Sequence, residues 1–283
     1  MRIVPGLILA LLGFLQVGHV HGITDEIYLQ KAESALKNKS YDQAILNCTK
    51  AIEANANSEK AYAWRGYAYV EKRLYNQAIE DCTRAIQLKP IDTEAYNSRA
   101  IAYLRRGAVD RAISDWTTVI RLKPDIAKMY NNRAGAYILK HQYDLAMSDC
   151  NRAIAMEPRL SAVYATRGAI YYDAGIYDHA ISDATKAMEL DPKNAVAYAS
   201  RGAAYLKKGL TRQAISDCTK AIKLNPNFAG AYINRATAYM HDRRYDEAIT
   251  DCRRAIRIDP TYTPAYATLN KLVAKKRTIK ESP

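Results

Sequence analysis

The sequence predicts an all-α fold, a right-handed α-solenoid built from 34-residue helix-turn-helix repeats. Three observations predict it. Proline recurs every 34 residues from Pro90 to Pro260, alanine does so from Ala44 to Ala248, and tyrosine does so from Tyr28 to Tyr266. A period of about 20–50 residues is the signature of stacked supersecondary units that bury a continuous core between neighbours.

The first 22 residues differ from the rest and predict a signal peptide. Arg2 supplies a positive start, and residues 7–15 form an apolar stretch. This stretch is too short and too interrupted for a membrane span of about 20 residues. We expect an exported mature chain that starts near Ile23, periplasmic in a bacterium or secreted, with no integral membrane segment. An uncleaved signal anchor is the alternative.

Each repeat has the spacing of two helices, as one copy illustrates. Tyr198, Gly202 and Tyr205 stand at i, i+4 and i+7, on one face of a first helix. After a short turn, an apolar stripe marks the second helix: Ala214, Cys218, Ala221 and Ile222. Pro226 then ends that helix, because proline cannot continue it.

The copy AYAWRGYAYVEKRLYNQAIEDCTRAIQLKP (61–90) resembles the tetratricopeptide repeat family, which has aromatic, small and tyrosine places in helix one and Ala, Ala and Pro in helix two. The resemblance covers residues 25 to about 277. It implies seven repeats within 23–262: 25–58, 59–92, 93–126, 127–160, 161–194, 195–228 and 229–262. A capping helix is expected over 263–277 and a basic flexible tail over 278–283.

Charged residues also recur at fixed places within the repeat. Six arginines share a place in the first helix: Arg65, Arg99, Arg133, Arg167, Arg201 and Arg235. Six aspartates share a place in the second: Asp81, Asp115, Asp149, Asp183, Asp217 and Asp251. Their joint occurrence predicts a ladder of Arg–Asp pairs across the helix pairs. The alternatives are arginines that bind a polyanion and simple solvated charge.

The five cysteines follow the repeat, at Cys48, Cys82, Cys150, Cys218 and Cys252. Equivalent residues of neighbouring repeats should be about 8–10 Å apart, whereas a disulfide needs Cα atoms within about 7 Å. We therefore expect buried free thiols. Histidines are few and share no face with a cysteine at ligand spacing, so neither a metal site nor a cofactor is predicted.

No catalytic constellation is found in the sequence. It has no glycine-rich phosphate loop, no metal-binding histidine pair and no Ser, His and Asp set outside the repeat pattern. The prediction is a protein that is not an enzyme and has no catalytic residues.

The resemblance implies that peptides or partner domains bind in the concave groove lined by first helices. The candidate groove residues are Trp64, Tyr67, Asn97, Ile101, Asn131, Asn132, Thr166, Ala169 and Asn234. Trp64 and Tyr67 form a candidate aromatic anchor, with helix packing as the alternative. The asparagines could hydrogen-bond an extended peptide, and the alanines near residue 169 could receive a helix.

The net charge of +13 suggests a second kind of contact. A basic outer face and tail comprise Lys50, Arg84, Arg152, Lys186, Lys220, Arg254, Lys271, Lys275, Lys276 and Arg277. Such a stripe attracts anionic surfaces through long-range, salt-sensitive steering. Lipid headgroups, acidic polysaccharide and acidic proteins fit an exported chain, whereas export disfavours nucleic acid. A solvated outer face is the alternative.

Two functions follow from these patterns. The first is an exported scaffold for protein–protein interaction, in the assembly or maintenance of envelope complexes. The second is a polyanion-binding protein that uses the basic outer face and tail.

Overall fold

The structure is a computed structural model that describes residues 25–281, with side chains through residue 276. The predicted signal peptide over 1–22 and the side chain of Arg277 lie outside this range. Fifteen helices and no strand occur within the described residues, and the predicted all-α repeat fold is confirmed.

The chain divides into two compact units at residue 140. The first unit contains α1 (residues 25–37), α2 (Tyr41–Ala54), α3 (Glu59–Glu71), α4 (Tyr75–Leu88), α5 (Thr93–Arg105), α6 (Val109–Leu122) and α7 (Ala127–Leu139). The second unit contains α8 (Tyr143–Met156), α9 (Ser161–Asp173), α10 (Tyr177–Leu190), α11 (Ala195–Lys207), α12 (Thr211–Leu224), α13 (Ala229–His241), α14 (Tyr245–Ile258) and α15 (Thr263–Glu281). Odd-numbered helices are the first helices of the repeat.

The turn from a first helix to its second helix contains a residue with positive φ. Glycine fills this place at Gly107, Gly175 and Gly209, with φ of 75–76°. Residues with a Cβ fill it elsewhere: Lys39, Arg73, His141 and Arg243, with φ of 55–61°. Because left-handed backbone crowds a Cβ, these four residues are held by the turn at a cost of about 1 kcal/mol each.

Proline controls the connection from a second helix to the next repeat. The residue before it leaves the helix in an extended conformation, as at Lys89 with φ of −139° and Asn225 with φ of −138°. A following proline disfavours helical backbone at that residue. Asn225 and Asp259 also accept hydrogen bonds from the backbone N–H two residues onward, at 3.1 and 2.9 Å, and this stabilises the turn.

The helix pairs pack closely because small residues occupy the crossing. A Cβ added to Gly66 would lie 2.5 Å from the Sγ of Cys82, and one added to Gly202 would lie 2.7 Å from the Sγ of Cys218. No side chain fits at these distances without movement of its neighbour. The first helix therefore needs a small residue at these two crossings.

The five cysteines are buried free thiols, as their spacing predicts. Burial raises the pKa of Cys48, Cys150 and Cys218 to about 12 and that of Cys252 to about 11. The thiols therefore stay neutral in the folded protein and contribute to the core as small apolar groups.

The predicted Arg–Asp ladder is present in both units. Arg65 donates from Nε and Nη2 to the two carboxylate oxygens of Asp81, at 2.7 and 2.9 Å. The same bidentate geometry joins further pairs: Arg99–Asp115, Arg167–Asp183, Arg201–Asp217 and Arg235–Asp251. The hydrogen bond to Asp217 raises the pKa of Arg201, so that guanidinium stays charged. These five guanidinium groups are engaged within the fold and are not presented to a polyanion.

A second contact of each arginine was not predicted. Arg65 donates from Nη1 to the hydroxyl of Thr49, at 3.0 Å, and Arg201 donates in the same way to Thr185. Thr49 and Thr185 belong to the second helix of the preceding repeat. Each of these arginines therefore holds its own first helix against two second helices.

The last helix is longer than predicted. The capping helix was expected over 263–277 and a flexible tail from residue 278, but α15 runs from Thr263 to Glu281. The difference has a physical reason, since residues 278–281 contain neither glycine nor proline, and the next proline is Pro283. Nothing in this segment therefore ends the helix at residue 277.

Candidate binding groove

A cavity of about 300 Å³ opens on the first helices of the first unit. Its lining residues come from α1, α3 and α5: Leu36, Ala63, Trp64, Tyr67, Glu94, Asn97 and Ser98. The predicted pair Trp64 and Tyr67 lines the same cavity, and Tyr67 is 39% exposed. Leu36, Ala63 and the two aromatic rings provide an apolar wall with a few polar groups beside it. This composition is typical of a pocket that holds a partner's side chain.

Neighbouring side chains orient the two aromatic residues. The rings of Tyr41 and Tyr67 meet edge to face with centroids 6.4 Å apart, a favourable geometry for an aromatic pair. The ammonium group of Lys60 lies 5.3 Å from the centroid of Trp64. Lys60 lines a second cavity with Trp64 but does not line the cavity that contains Tyr67. Glu94 is therefore the charged residue of the Trp64–Tyr67 cavity.

Asn97 is engaged mainly within the fold. Its Oδ1 accepts a hydrogen bond from Nε1 of Trp116 at 3.0 Å and one from Nδ2 of Asn132 at 3.4 Å. Trp116 occupies the place that cysteine takes in five other repeats, and it brings an indole N–H that needs an acceptor. Because Oδ1 is already engaged, a contact between Asn97 and a peptide would have to use its amide nitrogen.

Asn131 presents an unusual polar atom. Its Oδ1 is buried and has no hydrogen-bond partner within the described part of the chain. A buried acceptor without a partner costs about 1–3 kcal/mol, which water or a ligand donor would relieve. Asn131 therefore stays a candidate contact residue, although it does not line the Trp64 cavity.

Ile101 lies apart from the Trp64 cavity, although the sequence predicts both Ile101 and Tyr67 as groove residues. The structure places Ile101 in a separate cavity of about 400 Å³, together with Val70, Tyr75 and Arg105. Its side chain packs partly against the buried cluster around Trp116. Ile101 therefore contributes to repeat packing as well as to the surface.

The remaining candidates belong to the second unit. The hydroxyl of Thr166 donates to the carbonyl of Ala162 in its own helix, at 3.0 Å. Nδ2 of Asn234 donates to the carbonyl of Ala199, at 3.3 Å. Ala169 is half-buried on α9. No cavity of this unit brings Thr166, Ala169 and Asn234 together among the described cavities.

Three lining residues, Leu36, Ala63 and Glu94, were not predicted from the sequence. Glu94 stands three residues before Asn97 on the first turn of α5, so helical spacing alone could have placed it on the groove face. Leu36 stands at the end of α1, one residue after the Ala35 at which this repeat departs from the tyrosine pattern.

The basic outer row is exposed in both units. Lys50, Arg84, Arg152, Lys186, Lys220 and Arg254 are all exposed, as are Lys271 and Lys275 on α15. Some of this charge is compensated. Lys186 pairs with Glu189 at 3.0 Å, and Lys276 pairs with Asp246.

The described residues contain no group of three or more His, Cys, Asp or Glu side chains arranged for a metal ion. Across the same residues, no helix combines the length and apolarity needed to cross a bilayer.

Comparison with known sequence families identifies one pattern along the chain. Tetratricopeptide repeat patterns match residues 29–93, 65–117, 97–161, 161–194, 195–228 and 229–262. These matches together cover well over half of the sequence. No curated protein matches the chain.

Solved structures with the same fold include proteins of different size. The Cut9–Hcn1 hetero-tetramer of the APC/C matches with a TM-score of 0.75 and 19% identity, over 87% of this chain and 48% of that chain. The chain thus spans about half the length of that relative. A tetratricopeptide repeat protein from Parabacteroides merdae matches with a TM-score of 0.74 and 17% identity, over 88% and 99% of the two chains. A thermophilic repeat protein from Thermus thermophilus has a TM-score of 0.54 and 21% identity, over 64% and 99%.

Proposed function

The chain belongs to the tetratricopeptide repeat family, and we propose that it is an exported scaffold that holds a protein partner on its first helices. Members of this family generally mediate protein–protein interaction and are typically not enzymes. The cavity of Trp64 and Tyr67 is the observation that carries the proposal for this chain. It combines an exposed aromatic residue, an apolar wall and a carboxylate on one surface.

Aromatic residues in such a cavity would supply most of the binding free energy. Interface energies concentrate in a few Trp, Tyr and Arg residues that fill desolvated pockets, and the surrounding contacts mainly exclude water. An apolar anchor residue of the partner would fill the space between Leu36, Trp64 and Tyr67. Glu94 and the amide nitrogen of Asn97 would bind the polar atoms that flank this anchor.

Crosslinking capture of the tagged protein from fractionated cells tests the proposal, with washes at low and high salt. The double variant Trp64→Ala, Tyr67→Ala should lose at least about 90% of a partner that survives high salt, since truncation of a hot-spot residue costs about 2 kcal/mol or more. Tyr266→Ala is the matched control, because it removes an aromatic ring of similar exposure, 43%, from α15. Equal capture by all three proteins would exclude this cavity as the binding site.

Purified candidate partners can be tested by fluorescence. The chain has two tryptophans, and Trp116 is buried. Trp116→Phe leaves Trp64 as the sole indole, so its emission reports on the cavity. A partner that fills the cavity should shift this emission to shorter wavelength, whereas a partner that binds elsewhere should leave it unchanged.

Export is supported by the signal peptide pattern of residues 1–22, and a role in envelope complexes depends on it. Cell fractionation and mass spectrometry of the mature N-terminus test this part. We expect a protein outside the cytoplasm that starts near Ile23. An intact N-terminus in the membrane fraction would indicate an anchor, and an intact protein in the cytoplasm would contradict export.

A further inference from the structure

The second unit contains a larger cavity, of about 670 Å³, far along the sequence from the Trp64 cavity. It lies between the turn that joins α13 to α14 and the last helix, α15. Met240, His241, Arg243, Tyr245 and Lys275 line it. Arginine, lysine, histidine and tyrosine side chains can all donate hydrogen bonds, and no carboxylate is among the lining residues that the structure describes.

The carboxylates near this cavity are already paired with other cations. Arg244 donates from Nε to Glu247 at 2.9 Å and lies 3.9 Å from Asp242, and Lys276 pairs with Asp246. Neither Arg243 nor Lys275 forms an ion pair with any residue whose side chain the structure describes. The Nζ of Lys275 lies 6.0 Å from the ring centroid of Tyr245, at the side of the cavity. No side chain that the structure describes therefore neutralises the charge of Arg243 or Lys275.

The chain contains its own comparison, five repeats earlier. The equivalent cavity of the first unit is lined by Val70, Glu71, Arg73, Tyr75, Ile101 and Arg105. Arg73, Tyr75 and Arg105 stand 170 residues before Arg243, Tyr245 and Lys275. The charge differs at two equivalent positions. His241 stands where the first unit has Glu71, and Lys271 stands where it has Ile101. The first cavity carries a carboxylate beside its two arginines, whereas the second carries histidine there and gains a lysine one helical turn from Lys275.

We propose that the cavity of His241, Arg243, Tyr245 and Lys275 binds a phosphate group carried by a small organic molecule or a lipid headgroup. The planar guanidinium of Arg243 can hold two phosphate oxygens, and Lys275 adds a compact point charge. The volume exceeds that of a phosphate ion, which leaves room for the organic part of the ligand. This site is independent of the proposed partner groove, because it shares no residue with the Trp64 cavity.

Arg243 can be replaced by glycine without destabilising the fold, which allows a test of the site. Its φ is 59°, and the chain itself has glycine at the equivalent place of three other turns, Gly107, Gly175 and Gly209. Arg243→Gly therefore removes the charge and relieves backbone strain at once. Arg73→Gly makes the same change in the first unit, where φ is 61° and Glu71 is present. The two variants lose the same net charge.

Binding of glycerol phosphate to the full-length protein, measured by titration calorimetry at physiological salt, separates the outcomes. Arg243→Gly and Lys275→Gln should each raise the dissociation constant about tenfold, because each removes a charge-assisted hydrogen bond. Arg73→Gly and Arg105→Gln should change it less than twofold. An equal effect of all four variants would show a general charge effect and overturn the site. The site is also overturned if neither glycerol phosphate binding nor the vesicle binding described next changes in Arg243→Gly.

Vesicles distinguish the two sources of the phosphate. Sedimentation with vesicles of phosphatidylglycerol, against vesicles of phosphatidylcholine, is compared for the wild type, Arg243→Gly and Arg73→Gly. If the phosphatidylglycerol vesicles bind through Arg243 and glycerol phosphate does not, the ligand is a lipid headgroup. If glycerol phosphate alone depends on Arg243, the ligand is a soluble phosphate. A melting temperature of Arg243→Gly at or above that of the wild type confirms that the variant is folded.

Discussion

Two tyrosines flank the repeated arginine in several first helices of a chain in which tyrosine outnumbers phenylalanine by 22 to 2. The guanidinium of Arg99 lies 5.4 Å from the ring centroid of Tyr96 and 5.8 Å from that of Tyr103. Either aromatic residue would supply this contact. The hydroxyl is used elsewhere, since Tyr130 donates to the carbonyl of Pro124 at 3.1 Å and Tyr164 donates to that of Pro158 at 3.0 Å. Tyrosine thus joins the arginine to the proline turn.

The crossing between paired helices leads to a prediction about single glycines. Gly66→Ala should destabilise the protein by no more than about 1 kcal/mol. Its Cβ would overlap the Sγ of Cys82, but the same place holds alanine opposite cysteine at Ala134 with Cys150 and at Ala236 with Cys252. Gly168→Ala should instead be neutral or stabilise by about 0.5–1 kcal/mol, because its Cβ would meet no atom closer than 3.4 Å and alanine favours helix. Urea unfolding of both variants measures the difference.

The cause can be isolated with a second substitution. Cys82→Ala makes the Gly66 crossing resemble the Gly168 crossing, which faces Ala184. In a Cys82→Ala background, Gly66→Ala should therefore lose most of its destabilising effect. The same penalty with and without Cys82 would show that backbone, and not the sulfur atom, restricts this place.

The element that differs most from the repeat pattern is α15. In earlier repeats, the first helix receives a second helix on the face that carries arginine and a small residue. Leu269 replaces the arginine in α15, and Asn270 occupies the small place. Leu272, one turn after Leu269, is fully buried in the cluster that contains Ile233, Ala236 and Cys252, and Leu269 packs against the same cluster. The helix therefore covers α13 and α14.

Leu272→Ala should loosen this end of the second unit. Loss of a buried leucine costs about 2–5 kcal/mol when the space is not refilled. Among the described helices, α15 packs against α13 and α14. Hydrogen exchange should show faster exchange of the amides of α15 and α14, with little change in α9 and α10. Val273→Ala is the matched control, because its side chain is 38% exposed on the same helix. Equal exchange in the two variants would mean that Leu272 does not hold the cap.

For the molecule as a whole, the sequence correctly predicts the contacts at positions that hold the same type of residue in nearly every repeat. The pairing of Arg201 with Asp217 and the small residue opposite Cys218 are examples, because identical neighbours impose identical contacts. The contacts that it did not predict arise where one repeat departs from the others. Trp116 replaces a cysteine and takes the oxygen of Asn97, so the predicted peptide contact is partly used within the fold. Ile101 lies in another cavity than Tyr67, although the two residues hold equivalent places in adjacent first helices.

A repeat architecture also predicts how the molecule opens. In a stack of repeats, the free energy of unfolding is close to the sum of the intrinsic stability of each repeat and the interface energies between neighbouring repeats. A terminal repeat has only one neighbour, so the ends open before the interior. The buried thiols can report on this local opening. Burial raises the pKa of Cys218 to about 12 and that of the more terminal Cys252 to about 11, so both thiols are protonated while the fold is closed. A thiol reacts as the thiolate, so each cysteine must be exposed by local opening before it reacts at pH 8.

We therefore expect iodoacetamide to label Cys252 faster than Cys218 in the second unit, and Cys48 faster than Cys82 in the first, as followed by mass spectrometry of the native protein. Leu272→Ala should strongly increase the labelling rate of Cys252, increase that of Cys218 less, and leave that of Cys48 unchanged. The reason is that the lost contact belongs to the last helices. In concentrated guanidinium all five thiols should react at one rate, which controls for intrinsic reactivity. A single native rate for all five would instead mean that labelling requires global unfolding, and local opening would then not govern the stability of the array.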